Sequence, residues 1–135
     1  GECGLCVQVL VPAPEPRAVL AESRRVLHAA GCLLLSTHGY WMYHADPHDY
    51  WRWTREGLVL EVTRAGFEVL RSWSVLGFAS SALQLWQDAT SGWLPRPLRP
   101  GYFAVVQLAI GMLEWLRPEP ESKNASVYLV LAKRA

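Results

Sequence analysis

The sequence predicts an α/β domain, and three observations carry that prediction. Residues 4–11 and 31–36 are short, almost wholly apolar runs, the pattern of strands buried on both faces of a parallel sheet. Between them lies a segment with helical periodicity, which supplies a crossover of the usual right-handed βαβ kind. After the second run comes a stretch, 38–67, in which aromatics, histidines and acids crowd into one loop. Such a loop at the end of a buried strand is where α/β proteins place ligands.

The elements follow in order. In 4–11 (GLCVQVLV) Gln8 is the one polar letter. Pro12, Pro14 and Pro16 end that run, and Pro16 suits the first turn of a helix. From Arg17 to about His28, Val19, Leu20, Val26 and Leu27 recur at helical spacing, opposite Glu22, Arg24 and Arg25. Ala30-Gly31 closes the helix before the second strand. Thr54 is placed to cap a helix over 55–65, and Gly66 has the conformational freedom to stop it. Residues 67–75 read as a third strand with Phe67, Val69, Arg71, Trp73 and Val75 on one face. Residues 76–117 differ in composition: two helix-like pieces, 80–91 and 102–116, flank the prolines at 95, 97 and 100. After a charged turn, 126–133 (SVYLVLAK) reads as the last strand.

At 135 residues the chain has room for one core, and it is read as a single domain, 1–135. Half of it is apolar (51%), which excludes a disordered tail. With a net charge of +1 and scattered basic residues it lacks the electrostatic footprint of a nucleic-acid binder. Cys3 and Cys6 form one Cys-x-x-Cys with no second ligand pair, against a zinc site. Cys6 lies inside an apolar run, against a thioredoxin-like motif. No basic-then-apolar leader is visible, so the expected location is cytoplasmic. The longest apolar run, 102–116, is short of the roughly 20 residues that cross a bilayer, so no transmembrane segment is expected.

The loop carries the most specific wording. His44, Pro47, Asp49, Tyr50, Trp51, Arg52, Trp53 and Thr54, then Glu56-Gly57-Leu58 and Ala65-Gly66-Phe67, resemble the class I S-adenosylmethionine-dependent methyltransferases. The resembling subgroup carries a His-x-x-Pro-x-Asp-Tyr-Trp-Arg-type loop before its fifth helix. The resemblance implies part of a Rossmann-like sheet, strands 4, 5, 6 and 7 of the seven-stranded fold, with the seventh antiparallel between the fifth and sixth. It implies an enzyme that transfers a methyl group from S-adenosylmethionine to the oxygen or nitrogen of a small or medium acceptor. Two departures qualify it. The family's glycine-rich cofactor loop and ribose-binding acid belong to strands this sequence does not contain. Where the family commonly reads Val-Leu-Glu-His, this chain has Val9-Leu10-Val11-Pro12. The chain is therefore expected to be the C-terminal part of a longer enzyme or a shortened product. The alternative is a non-catalytic remnant or binding module without the cofactor half.

The site residues follow from the same resemblance. His44 and His48 are the candidate general bases, since an acceptor hydroxyl or amine must lose a proton. Tyr40, Tyr43, Asp49, Tyr50, Trp51 and Arg52 are candidates for the acceptor pocket. For Tyr50, Trp51 and Trp53 the competing role is to lock the loop onto the sheet, and Arg52 is a candidate partner for Asp49. What remains of the cofactor wall is Val7, Gln8 and Val9. His44, Asp46, His48 and Asp49 invite a metal, but a turn that satisfies its own backbone is preferred, and no metal is expected. The helical insert, 76–117, is read as a lid or core in preference to a membrane-surface element, because its polar positions lack lysine and arginine. If residues 4–10 form a sheet edge, they are a surface for self-association or pairing.

Overall fold

The computed structural model describes residues 3–135. Four strands form one sheet: β1 (Cys3–Val7), β2 (Cys32–His38), β3 (Phe67–Val75) and β4 (Val127–Arg134). Their spatial order is β1-β2-β4-β3. β1 and β2 run parallel, and β4 is antiparallel to both neighbours. This is the order expected of strands 4, 5, 7 and 6, with β1 at one edge and β3 at the other.

Helix α1 (Pro16–Val26) joins β1 to β2, and α2 (Arg55–Arg64) joins the loop to β3. Pro16 opens α1, and Leu20 on its inner face is buried. Thr54 caps α2 as expected, its hydroxyl accepting from the Gly57 amide at 3.0 Å. Leu58 and Val62, one turn apart, are sealed against Leu33, Leu35, Val130 and Ala132 of the sheet. Gly66 ends the helix region at φ 87°, a conformation that side chains rarely adopt.

Three details depart from the sequence reading. The first strand stops at Val7, because Gln8 turns out of the sheet at φ 56° and drives Leu10 and Val11 into the core as part of a turn. The third strand does not keep one face. Val69 pairs with Ala132 and Arg71 with Leu131, so Leu70 is an extra residue in a bulge. Phe67 and Val69 therefore share the core side with Ser72 and Ser74, and Arg71, Trp73 and Val75 share the other. Third, Cys3 joins Cys32, its neighbour across the β1–β2 pair (Cα–Cα 4.5 Å), in a disulfide and leaves Cys6 free.

The sheet's second face is less covered. Leu5 and Val7 of β1 are exposed, and Leu34, Leu129 and Leu131 on the same side are half-buried. Between β3 and β4 stand α3 (Phe78–Thr90) and α4 (Arg99–Leu116), linked by two short 3₁₀ turns. This hairpin begins earlier in both arms than its periodicity suggests. The α3 N-terminus lacks a capping side chain of its own, and Glu114 and Glu119 replace it, accepting from the Gly77 and Phe78 amides. No helix is long and apolar enough to cross a membrane among the described residues.

Candidate active site

The loop from Gly39 to Trp53 is fixed to the body at both ends. Gly39 and Tyr40 donate to the Ser126 and Ala125 carbonyls at 2.9 Å each, and Trp53 donates to the His38 carbonyl at 3.0 Å. Gly39 is required here by close approach. A Cβ would collide with the Ala125 carbonyl and the Tyr128 ring. Midway, the Tyr50 amide donates to the Val11 carbonyl and the Trp51 indole to the Ala13 carbonyl, tying the loop to the turn after β1.

Within the loop Arg52 is the organiser. Its guanidinium grips both Asp49 oxygens (2.5 and 2.6 Å) and donates to the carbonyls of Trp41, Met42 and Trp51. All five of its N–H groups are thereby engaged. Asp49 also accepts from the His44 amide at 2.7 Å. With Arg52 beside it, the Asp49 carboxyl is held down to about 2, well below its ordinary value. Asp49 and Arg52 are paired as the sequence suggested, and this clamp leaves Arg52 no spare donor for an acceptor molecule.

The clamp and the turn after β1 enclose a cleft of about 460 Å³ at the carboxyl ends of β1 and β2. Val7, Gln8 and Val9 form one wall, while His44, Asp46, His48 and Asp49 form the other. The two groups of residues predicted for donor and base are thus in one place. The remaining predicted residues lie elsewhere. Tyr40 and Arg52 line a neighbouring cleft of about 260 Å³ with Trp41, Trp53 and Leu85 of α3. Tyr43, Tyr50 and Trp51 border a shallow outer hollow. Trp53 packs against the core, as the locking role requires. Among the described residues no group of three or more His, Cys, Asp or Glu is arranged to hold a metal.

One cleft residue was not singled out from the sequence: His38, the last residue of β2. Its ring stacks on Trp41 (4.7 Å between centroids, 12° between planes), and its Nδ1 is buried without a partner. Burial, then the positive charge of Arg52, pushes its pKa down, so it is neutral at pH 7. The Gln8 Oε1 on the opposite wall is also buried and unpaired. Two buried polar atoms without partners, on residues that line one cleft, are uncommon in a finished interior. The available signal was position alone, since residues at the carboxyl end of an inner strand point to where α/β ligands sit.

No family model matches the chain, and no curated protein matches it in sequence. Solved structures do. The [4+2]-cyclase SpnF superposes with a TM-score of 0.55 at 16% identity, over 98% of this chain and 50% of that one. An S-adenosylmethionine dependent methyltransferase from Mesorhizobium loti superposes with a TM-score of 0.53 at 12% identity, over 98% and 62%. The fold is theirs. The chain spans half to three-fifths of the length of these proteins. A methyltransferase-like fold hosting a cyclase in one case and a methyltransferase in the other leaves the reaction to be argued from the site.

Proposed function

We propose that this chain supplies the acceptor-side half of an S-adenosylmethionine-dependent methyltransferase acting on the oxygen or nitrogen of a small or medium acceptor. The observation that carries the reading is the shared cleft, where Val7, Gln8 and Val9 face three histidines at the carboxyl ends of β1 and β2. The residues present fit one side of the donor. Val7 and Val9 offer apolar contact to a nucleoside, and the unpaired Gln8 Oε1 offers an acceptor to an amino group. The glycine-rich turn and ribose-binding acid of the family are not in this sequence, so the grip on the rest of the donor lies outside these residues.

When bound, the donor supplies a methyl group on a positively charged sulfur. The chain's own work is to align the acceptor and take its proton as the new bond forms. His38 suits that role because it is neutral, fixed by Trp41 and mounted on a strand. His44 and His48 stand beside it on the clamped loop, with His48 stacked on Tyr50 at 5.2 Å. Tyr40 and Trp41 wall the adjoining cleft, where the acceptor's body would lie. Asp49 and Arg52 act by holding this wall in shape.

The test is titration calorimetry with S-adenosylmethionine. Saturable heat is expected for the chain, weakened by Val9→Asp and unchanged by Tyr43→Ala at the outer hollow. Silence up to millimolar donor, or heat indifferent to Val9→Asp, would count against the reading.

A further inference from the structure

The α3–α4 hairpin joins its helices partly through polar side chains, beside the buried Ile110 of α4, and shows an apolar outer face. Every buried residue of α3 is polar: Ser80, Ser81, Gln87 and Thr90. Between the helices, the Gln107 amide donates to the side-chain carbonyls of Gln84 and Gln87 at 3.0 Å each. The Thr90 and Tyr102 hydroxyls are bonded at 2.5 Å. Most outward residues are apolar, with Gln107 an exposed polar exception. On α3 they include Phe78, Ala82, Trp86 and Ala89; on α4 they include Val105, Leu108, Met112 and Trp115 with the small Ala104 and Gly111. Leu108 is 67% exposed and Trp115 81%. A hairpin meant for water presents charge on its outer face. Polar side chains bonded between helices, with apolar ones outside, suit a surrounding that is itself apolar.

Width and charge favour lipid over a second copy. At 100° per residue these positions of α4 spread over an arc of about 120°, far broader than the narrow seam by which two helices pair. Tyr102 through Leu113 holds no charge. The arginines stand at the ends instead: Arg96 and Arg99 at the tip and Arg117 at the base, none of them in an ion pair among the described residues. Asp88 is satisfied by Gln84, and Glu114 is spent on the α3 N-terminus. At about 20 Å and 27 Å, the 13-residue and 18-residue helices fall short of the roughly 30 Å hydrocarbon core. This hairpin can lie in a membrane surface without crossing it. Tryptophans 86, 93 and 115 on its outside belong to the side chains that settle at headgroup depth.

We infer that the outward face of α3 and α4 docks on an anionic lipid surface, with the terminal arginines against phosphate headgroups. The inference stands apart from the methyl-transfer reading. Its bearing on that reading is geometric: Leu85 of α3 lines the cleft that holds Tyr40 and Trp41, so a docked hairpin brings that opening to the membrane.

The experiment is flotation of the chain with vesicles of phosphatidylcholine and phosphatidylglycerol, beside light scattering without lipid. The wild-type chain is expected to float. Leu108→Glu with Met112→Glu should lower partitioning by about tenfold or more while leaving circular dichroism unchanged, because both side chains are already in solvent. Brominated acyl chains should quench the wild-type tryptophan emission, and Trp115→Phe should remove part of that quenching. The inference is overturned if the wild-type chain stays unbound at every anionic fraction. It is equally overturned if the double variant floats as well as wild type, which would place adhesion elsewhere, as on the open sheet face. A dimer that the double variant dissolves would assign the face to a second copy and also overturn it.

Discussion

At the scale of single residues, Asp49 and Arg52 decide the shape of the loop. The Asp49 carboxyl titrates at about 2 in the folded chain against an ordinary 3.8, so its contribution to stability is full above about pH 4. As pH falls from about 4 toward 2 the carboxylate is protonated, the guanidinium loses its partner and that contribution is lost. Asp49→Asn should remove this part of the acid transition. The comparison to make is tryptophan fluorescence from pH 6 to 2 in the two proteins, because Glu22, Glu56 and Glu61 are also lowered by their cations and contribute equally to both. A transition of identical shape in the variant would mean that the clamp carries no stability. The pairing of Asp49 with Arg52 was legible from their spacing. The further bonds from Arg52 to three carbonyls were not, since they depend on where the chain returns after Gly39. His38 escaped notice for a related reason. Within an apolar strand it reads as a stray polar letter until the strand's end is seen to open on a cleft.

Among the elements, β4 carries more of the loop's placement than its plain apolar sequence suggests. Tyr128 on its core face donates to the Lys123 carbonyl at 2.6 Å and accepts from the Ala125 amide at 3.1 Å. Burial raises its phenol pKa. The turn it pins is the one against which Gly39 and Tyr40 lie. Tyr128→Phe removes one hydroxyl and strands the buried Ala125 amide along with the part-buried Lys123 carbonyl, at a cost of about 1–3 kcal/mol in stability measured by denaturant unfolding. A loss below about 0.5 kcal/mol would show that water replaces the hydroxyl. Strand and helix identities in this part of the chain were readable, because Thr54, Gly66 and the apolar runs act locally. The hairpin was half readable. Its two helical pieces and their apolar composition were visible, but composition does not say which side chains face a neighbour and which the outside. The placement of Gln84, Gln87, Thr90 and Gln107 beside the buried Ile110 shows that the seam between the helices is partly polar.

For the molecule as a whole, the sheet order was legible only through the family resemblance, because antiparallel insertion of the last strand between two earlier ones leaves no trace in periodicity. The same order leaves β1 at an edge with Leu5 68% exposed, Val7 exposed beside it, and backbone groups open on one side. Leu5→Lys with Val7→Lys is predicted to suppress concentration-dependent association in light scattering while preserving the circular dichroism spectrum. Unchanged association in that variant would move the contact to another surface.

The extra residue at Leu70 is one the sheet has already absorbed. Phe67 and Val69 reach the core from odd-numbered positions and Ser72 and Ser74 from even-numbered ones, and the bulge takes up the switch. Removing Leu70 would set Arg71 directly after Val69, still opposite Leu131, and restore plain alternation. Arg71 and Trp73 would keep the open face, and Ser74 would keep the Pro120 and Ser122 carbonyls. A residue lost after the bulge has no such slack, and it would turn the strand beyond it over.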